Sequence, residues 1–286
     1  MKIGYAVLED GEKSIVFIDI NKNKYYKISN DGFSCVISNP ISFIKTFEIM
    51  KNLEVEEVMV KKLLPPVIPK RIFLPAVNFR SHSREASTPP PPEPYFFIKP
   101  SNSVIGNDDY IIIPKGLKRV DYEGEIAIII GKRGKYIPES KALDYVFGFS
   151  IANDVSFRDY QFPERHPYGL NWVMGKALDT GLPLGPWIVT KDEVLEGYGE
   201  FKLEIKTFVN GKLVQHGSTE DMIFSIEKLI SYLSQGITLE PGDVITTGTP
   251  AGVAEFSDKI YLKDGDVVEV EVSKIGKLRN FVRAEE

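Results

Sequence analysis

The sequence predicts an α+β fold that is mostly β. Apolar runs of strand length recur from residue 71 almost to the end of the chain, few segments carry helix signals, and strands and helices do not alternate regularly. A doubly wound parallel sheet needs that alternation, so it is excluded. In a chain of 286 residues, 43% hydrophobic and 26% charged positions supply a full core, which excludes disordered and collagen-like chains.

Residues 2–8, 14–20 and 24–28 read as short strands around turns. A helix is expected over 41–53, where Asn39 can cap the free N–H groups, Pro40 suits the first helical position, and Ile41, Ile44, Phe47 and Met50 recur at helical spacing. Leu64-Pro65-Pro66-Val67-Ile68-Pro69 then breaks regular structure, because proline lacks an N–H and restricts the residue before it. A domain boundary there gives a small N-terminal α+β domain over 1–68 and a larger domain over 69–286. Strands follow at 72–77, 95–98, 110–113, 126–130, 147–151, 187–190, 201–208 and 267–272. One helix spans 139–146, opened by Pro138. A second begins after Ser225, carries Ile226, Leu229, Ile230 and Leu233 on one stripe, and stops at Gly236. Prolines 89–92, extended by Glu93 and Pro94, make a stiff surface loop.

Lys and Arg number 35 against 40 Asp and Glu, a net charge of −5, and no long basic stretch exists to neutralise a row of phosphates. Nucleic acid is excluded as a partner on that ground. The longest apolar runs, such as 126–130, fall far below the roughly 18 residues that span a bilayer, so no membrane segment is expected. Cys35 is the single cysteine and cannot close an intrachain disulfide. The apolar run after Lys2 is also shorter than a signal-peptide core of about 7 to 15 residues, and the two together predict a cytoplasmic protein.

The stretch Asp121-Tyr122-Glu123-Gly124-Glu125-Ile126-Ala127-Ile128-Ile129-Ile130 carries the most chemical information. Strand side chains alternate, so Glu123 and Glu125 share a face with Ala127 and Ile129. Two like charges at the end of a buried stripe need a cation or a shared proton, unless the strand end simply reaches solvent. Oxygen ligands favour Mg²⁺, Mn²⁺ or Ca²⁺ over zinc. Asp154 follows a strand just where the chain leaves the core, with Arg158, Asp159 and Gln161 close behind; taken alone, such an aspartate is more often a helix or turn cap.

The three histidines, His82, His166 and His216, are too scattered for a short zinc motif. His82 is the candidate base, because Glu85 stands three residues on and shares its face in a helix, where it can fix the imidazole tautomer. The same pair also fits a surface helix turn. His166 in a polar loop and His216 in a turn before Gly217 are read as structural. Gly175-Lys176 is not a phosphate loop, since Gly169 is one position too far away and Ala177 replaces the Ser or Thr. Neither a G-x-S-x-G elbow nor a G-x-G-x-x-G turn occurs. Residues 242–253 run from a strand into a tight loop of small residues whose N–H groups can approach an anion such as a substrate carboxylate.

Taken together these stretches resemble the fumarylacetoacetate hydrolase family. The likeness runs from about Arg71 to Val282 through Phe96-Phe97-Ile98-Lys99-Pro100, the Asp121 strand, Asn153-Asp154-Val155-Ser156, Gly175-Lys176-Ala177-Leu178-Asp179-Thr180, Leu239-Glu240-Pro241-Gly242-Asp243 and Thr247-Gly248-Thr249-Pro250. The resemblance implies a mixed β-sandwich roll, normally dimeric, with a small N-terminal domain. It implies a divalent-metal triad at Glu123, Glu125 and Asp154, with Mg²⁺ expected and Mn²⁺ or Ca²⁺ as alternatives. It places a lid dyad at His82 and Glu85 and an active-site lysine at Lys176. Thr249 falls on the position that binds a substrate carboxylate, and Arg158 and Gln161 are assigned to substrate as well. Asn78-Phe79 stands where many members have Asn-Tyr, Phe157 precedes Arg158 where Ala is common, and the loop 86–94 is unusually proline-rich. These departures bear on the substrate and leave the metal site untouched.

The activity implied is a metal-dependent hydrolase that cleaves a C–C bond of a 2,4-dioxo acid through an enolate. Isomerisation, decarboxylation or dehydration of a 2-oxo acid on the same site is the alternative. A non-catalytic metal-binding member is the rival from another class, against which the presence of both His82 and Glu85 argues. Residues 81–94 are expected to form a lid with little apolar area of its own.

Overall fold

The structure, a computed structural model, describes residues 1–29, 56–162, 164, 167–195 and 201–286. The helix expected at 41–53, with Asn39 and Pro40, lies outside the described residues, as do Cys35 and His166. Two sheets pack face to face. The larger has twelve strands among the described residues and centres on Gly124–Ile130, which pairs antiparallel with Val146–Asn153 on one side and Val244–Thr246 on the other. Its far edge is Ile72–Pro75 followed by Phe96–Lys99. The second sheet runs Lys212–Ser218, Glu204–Val209, Val267–Val272, Gly276–Ala284 and Tyr110–Ile113. Pairing is mostly antiparallel, with parallel contacts such as Val244↔Ile72 and Phe281↔Tyr110, as expected of a mixed β architecture.

The first strand, Lys2–Leu8, pairs with Leu182–Thr190 of the large sheet through Lys2↔Val189 and Ile3↔Ile188. Val60–Leu64 returns to pair along the same strand, so the described part of 1–64 extends the main sheet at one edge. Among the described residues no helix is long and apolar enough to cross a membrane.

The central strand is buried on both faces, which explains its unbroken run of isoleucines. Ile126, Ile128 and Ile130 pack with Phe149, Ile205, Val270 and Leu278 between the two sheets. Ala127 and Ile129 face the other way, among Ile72, Leu74, Phe97, Leu182 and Leu184. The helix Ile226–Ser234 lays Ile226, Leu229, Ile230 and Leu233 on the first of these cores; Ser225 caps it by accepting from the Lys228 N–H at 3.3 Å. The segment after Pro138 winds as a tighter 3₁₀ helix, Glu139–Tyr145. Lys212–Ser218 is a strand rather than a turn, and His216 stands exposed on it opposite Lys206.

Candidate metal centre

Register alone assembles the acidic cluster. Gly124 pairs with Asn153 and Glu125 with Ala152, so Asp154 falls opposite Glu123, and its N–H donates to the Glu123 carbonyl at 2.8 Å. Asn153 accepts from the Glu123 N–H at 2.9 Å and fixes the end of the hairpin. Glu123, Glu125 and Asp154 thus share one face, each offering an oxygen within 4.8 Å of the others. All three are buried, Glu125 and Asp154 to 1% exposure. Gly124 between the glutamates faces the second sheet, where an added Cβ would lie 2.3 Å from Thr207 Oγ1 and 3.0 Å from a Val270 methyl. The close approach of the sheets therefore demands glycine. Gly124→Ala is expected to cost about 1–3 kcal/mol by overpacking, read as a lowered Tm.

Positive charge meets this cluster from three directions. Lys176, on the short helix Trp172–Lys176, places Nζ 2.7 Å from both Glu123 Oε2 and Asp154 Oδ2. Its stem lies beside Phe97, whose ring is 5.2 Å from Nζ and stacks on Trp172 at 4.7 Å. Arg158 donates to Asp121 Oδ2 at 3.0 Å, to Gln161 Oε1 at 2.6 Å and to Glu123 Oε1. Lys99 brings a second ammonium 2.7 Å from Asp154 Oδ1. Its hydrogen bonds go to the carbonyls of Val155 and Gly181, at 2.9 and 2.5 Å, so among the described residues Asp154 Oδ1 receives no aligned hydrogen bond.

Protonation follows from these contacts. Burial alone would raise the Glu123 carboxyl, but Lys176 and Arg158 overcome it and hold the group well below the usual carboxylate range. Glu125 goes the other way: burial, then the charges of Asp154 and Glu123, push it well above its ordinary value. Burial pulls against the Lys176 ammonium, yet Asp154 and Glu123 raise it on balance. Lys99 is lowered by burial, with like-charge Lys176 adding to the effect against Asp154.

A divalent cation fits this donor set. Three buried carboxylates converge, one oxygen of Asp154 is met, among the described residues, only by the Lys99 ammonium, and Glu125 is disfavoured as an anion until more positive charge arrives. An all-oxygen set suits a hard cation.

The remaining candidates surround this cluster. His82 and Glu85 occur on a helix, Arg80–Glu85, with His82 Nδ1 a long 3.4 Å from Glu85 Oε2. The other Glu85 oxygen accepts from the Gly252 N–H at 2.8 Å. Gly252 has φ +107°, and a Cβ there would lie 2.0 Å from the Val214 carbonyl, so this turn also requires glycine. The helix is tethered further by the Ser81 N–H donating to Asp221 at 2.8 Å, and by Asn78, which bonds Phe224 and Thr247 at its root. Phe79, where a tyrosine is common, is fully buried in the core between the sheets.

Thr249 Oγ1 donates to the Gly124 carbonyl at 2.9 Å and accepts from Gln215 Nε2 at 2.8 Å. Arg158 donates both to Gln161 and to Glu123 of the acidic cluster, so Gln161 meets the cluster only through Arg158. The glycine-rich loop spends its N–H groups on the protein's own carboxylates: Gly248 on Glu125 at 3.2 Å, Gly252 on Glu85, and Ala254 and Glu255 on Asp121 at 2.8 and 3.0 Å.

Sequence reasoning missed Lys99, Asp121 and Gln215. A lysine ending an apolar strand was the signal for Lys99, and Asp121 has the same strand parity as Glu123 and Glu125. Gln215, which accepts from the Gly124 N–H at 3.0 Å, sits on a strand whose polar sequence gave no signal.

Residues 71–283 match the fumarylacetoacetate hydrolase family, C-terminal domain. The chain belongs to this family. Oxaloacetate tautomerase FAHD2B, mitochondrial, of Bos taurus is 42% identical over 221 residues, 77% of this chain and 68% of the relative. The 5-carboxymethyl-2-hydroxymuconate delta-isomerase of Mycobacterium smegmatis superposes over 100% of both chains with a TM-score of 0.78 at 30% identity. The maleylpyruvate hydrolase of Sphingobium sp. SYK-6, solved with manganese(II) and pyruvate, does so with a TM-score of 0.80 at 25% identity, again over 100% of both. The fumarylacetoacetate hydrolase family thus includes a tautomerase, an isomerase and a hydrolase among relatives of this chain, and the mixed β-sandwich is its fold.

Proposed function

We propose that this chain is a divalent-metal-dependent enzyme that cleaves the C–C bond of a 2,4-dioxo acid of the acylpyruvate type, releasing pyruvate and a carboxylic acid. The observation that carries this reading is the convergence of Glu123, Glu125 and Asp154 on one buried face beside Lys176, with the His82–Glu85 pair on the neighbouring lid helix. The three carboxylates would hold Mg²⁺ or Mn²⁺, and the bound ion supplies Lewis-acid charge beside the 2-oxo group. Lys176 adds a fixed positive charge where negative charge develops. Glu85, itself held by Gly252, orients the His82 ring so that a proton on Nδ1 leaves Nε2 to take a proton from water. That water adds to the distal carbonyl, the C–C bond breaks, and the carbon left behind takes up a proton to give pyruvate. Apo contacts of this kind are often long and tighten in the substrate complex, which suits the 3.4 Å separation of His82 and Glu85.

Thr249, Arg158 and Gln161 are assigned to the substrate side of the site, Arg158 also holding Glu123 in place. The reading takes the working form as a cytoplasmic homodimer acting on a small diffusible acid. The likeness to the tautomerase from Bos taurus favours keto–enol interconversion of a 2-oxo acid as a second reading, which needs the same proton transfers without the added water.

Purified protein supplied with Mg²⁺ or Mn²⁺ is expected to release pyruvate from acylpyruvates, and Lys176→Ala to lower kcat/KM by about 10²–10³-fold. Interconversion of oxaloacetate without cleavage of any acylpyruvate would select the second reading. Unchanged turnover in Lys176→Ala would make Lys176 a structural ion-pair partner.

A further inference from the structure

Beside His82, two aromatic rings follow one another. The His82 ring lies 5.9 Å from that of Phe256, which meets Phe162 edge to face at 6.3 Å. Both phenylalanines are partly exposed. Two cations pack against them: the Arg158 guanidinium lies 5.9 Å from Phe256 and 6.0 Å from Phe162, and that of Arg119 lies 5.6 Å from Phe162. Both are already matched by acids. Arg158 is bonded to Asp121 and Glu123, and Arg119 donates to both oxygens of Glu255 at 2.6 and 3.3 Å. Tyr261 also donates to Glu255 at 2.6 Å, so that carboxylate has no reason to release the guanidinium.

A ligand group entering between His82 and Phe162 therefore meets ring faces and edges, with the arginines behind them paired. A carboxylate placed there would lose its hydration without gaining a cation from these residues, whereas an apolar or aryl group gains from burial and from edge-to-face contact. We propose that Phe162 and Phe256 form a distal subsite for an uncharged apolar or aryl group. The substrate is then a 2-oxo acid that carries such a group at its far end in place of a second carboxylate. This deepens the proposed function and rests on its 2-oxo acid reading.

Oxamates test it, because they present the same 2-oxo carboxylate and are not cleaved. Affinities for N-methyloxamate, N-benzyloxamate and N-oxalylglycine, whose far end is a carboxylate, would be measured by calorimetry on the Mn²⁺-loaded protein. N-benzyloxamate is expected to bind at least tenfold more tightly than N-oxalylglycine. Its advantage over N-methyloxamate should fall at least tenfold in Phe256→Ala and in Phe162→Ala. Phe256→Leu, which keeps most of the volume, serves if the alanine variant does not fold, and should lose part of the advantage. Tighter binding of N-oxalylglycine, or a benzyl preference that survives substitution of both rings, would overturn the subsite while leaving the 2-oxo acid reading standing. Failure of N-methyloxamate itself to bind would overturn that reading, and the subsite with it.

Discussion

Stripping the divalent metal should abolish turnover and lower Tm, and the size of the drop should depend on pH. A ligand that binds only the native state stabilises it by about 2.7 kcal/mol at 100 times its Kd, or about 5–10 °C for a chain of this size. The pH dependence comes from Glu125, whose carboxyl is raised by burial and by Asp154 and Glu123. A carboxyl raised in the folded state contributes stability while protonated, below the ordinary glutamate value, and that contribution is lost as pH rises through the folded value. Glu123 is lowered, so its contribution is present above the ordinary glutamate value and is lost only as pH falls into strong acid. The two windows do not overlap. In chelator, Tm should therefore fall as pH climbs from the ordinary glutamate range, and added Mg²⁺ or Mn²⁺ should flatten the curve by taking the place of the proton on Glu125. Metal affinity should weaken toward acid for the same reason. Glu125→Gln should remove both the metal response and the pH slope in chelator. A Tm profile indifferent to metal at every pH would refute the site.

The other large effect is expected from His82→Ala. General bases contribute about 10²–10⁴-fold, so kcat should fall by that order while metal binding and the affinity for oxalate persist. His82 is on the helix Arg80–Glu85 and the three carboxylates are on the central hairpin, so the two can be separated experimentally. Glu85→Gln should fall between the wild type and His82→Ala, since the amide oxygen can still accept from Gly252 but orients the imidazole less strongly. Loss of oxalate affinity in proportion to kcat would instead make His82 a binding group.

The central hairpin was legible because alternation and acidity coincide there. An apolar strand that ends in Glu-Gly-Glu, followed by an aspartate after the next strand, states both the sheet position and its chemical cost. The helix after Ser225 was legible through its cap and stripe. What escaped was held by polar residues facing inward. Lys212–Ser218 reads as a surface turn because its burial is confined to Gln215, and no periodicity reports a single inward glutamine. Lys99 looked like an ordinary strand terminus, yet it is 1% exposed, and the carbonyls of Val155 and Gly181 together with the Asp154 carboxylate, all distant in sequence, make that tolerable. The Asp121 side chain turns to Arg158 and to two N–H groups of the 250–256 loop, a pairing set by tertiary contact alone. The loop glycines suggested an anion; the structure supplies anions from within the chain.

That all three carboxylates stand on one hairpin also bears on how the chain reaches its native state. Residues 123–154 close a single antiparallel pair, a local contact of low loop-closure cost, and Arg158 and Lys176 follow shortly after Asp154, whereas the strand contributing Gln215 arrives from farther away in sequence. The acidic face and two of the cations that neutralise it therefore lie close together in sequence, whereas the second sheet that shields it does not. A divalent ion that relieves the repulsion among the three carboxylates is therefore expected to speed refolding, read as a faster folding phase in Mg²⁺ than in chelator.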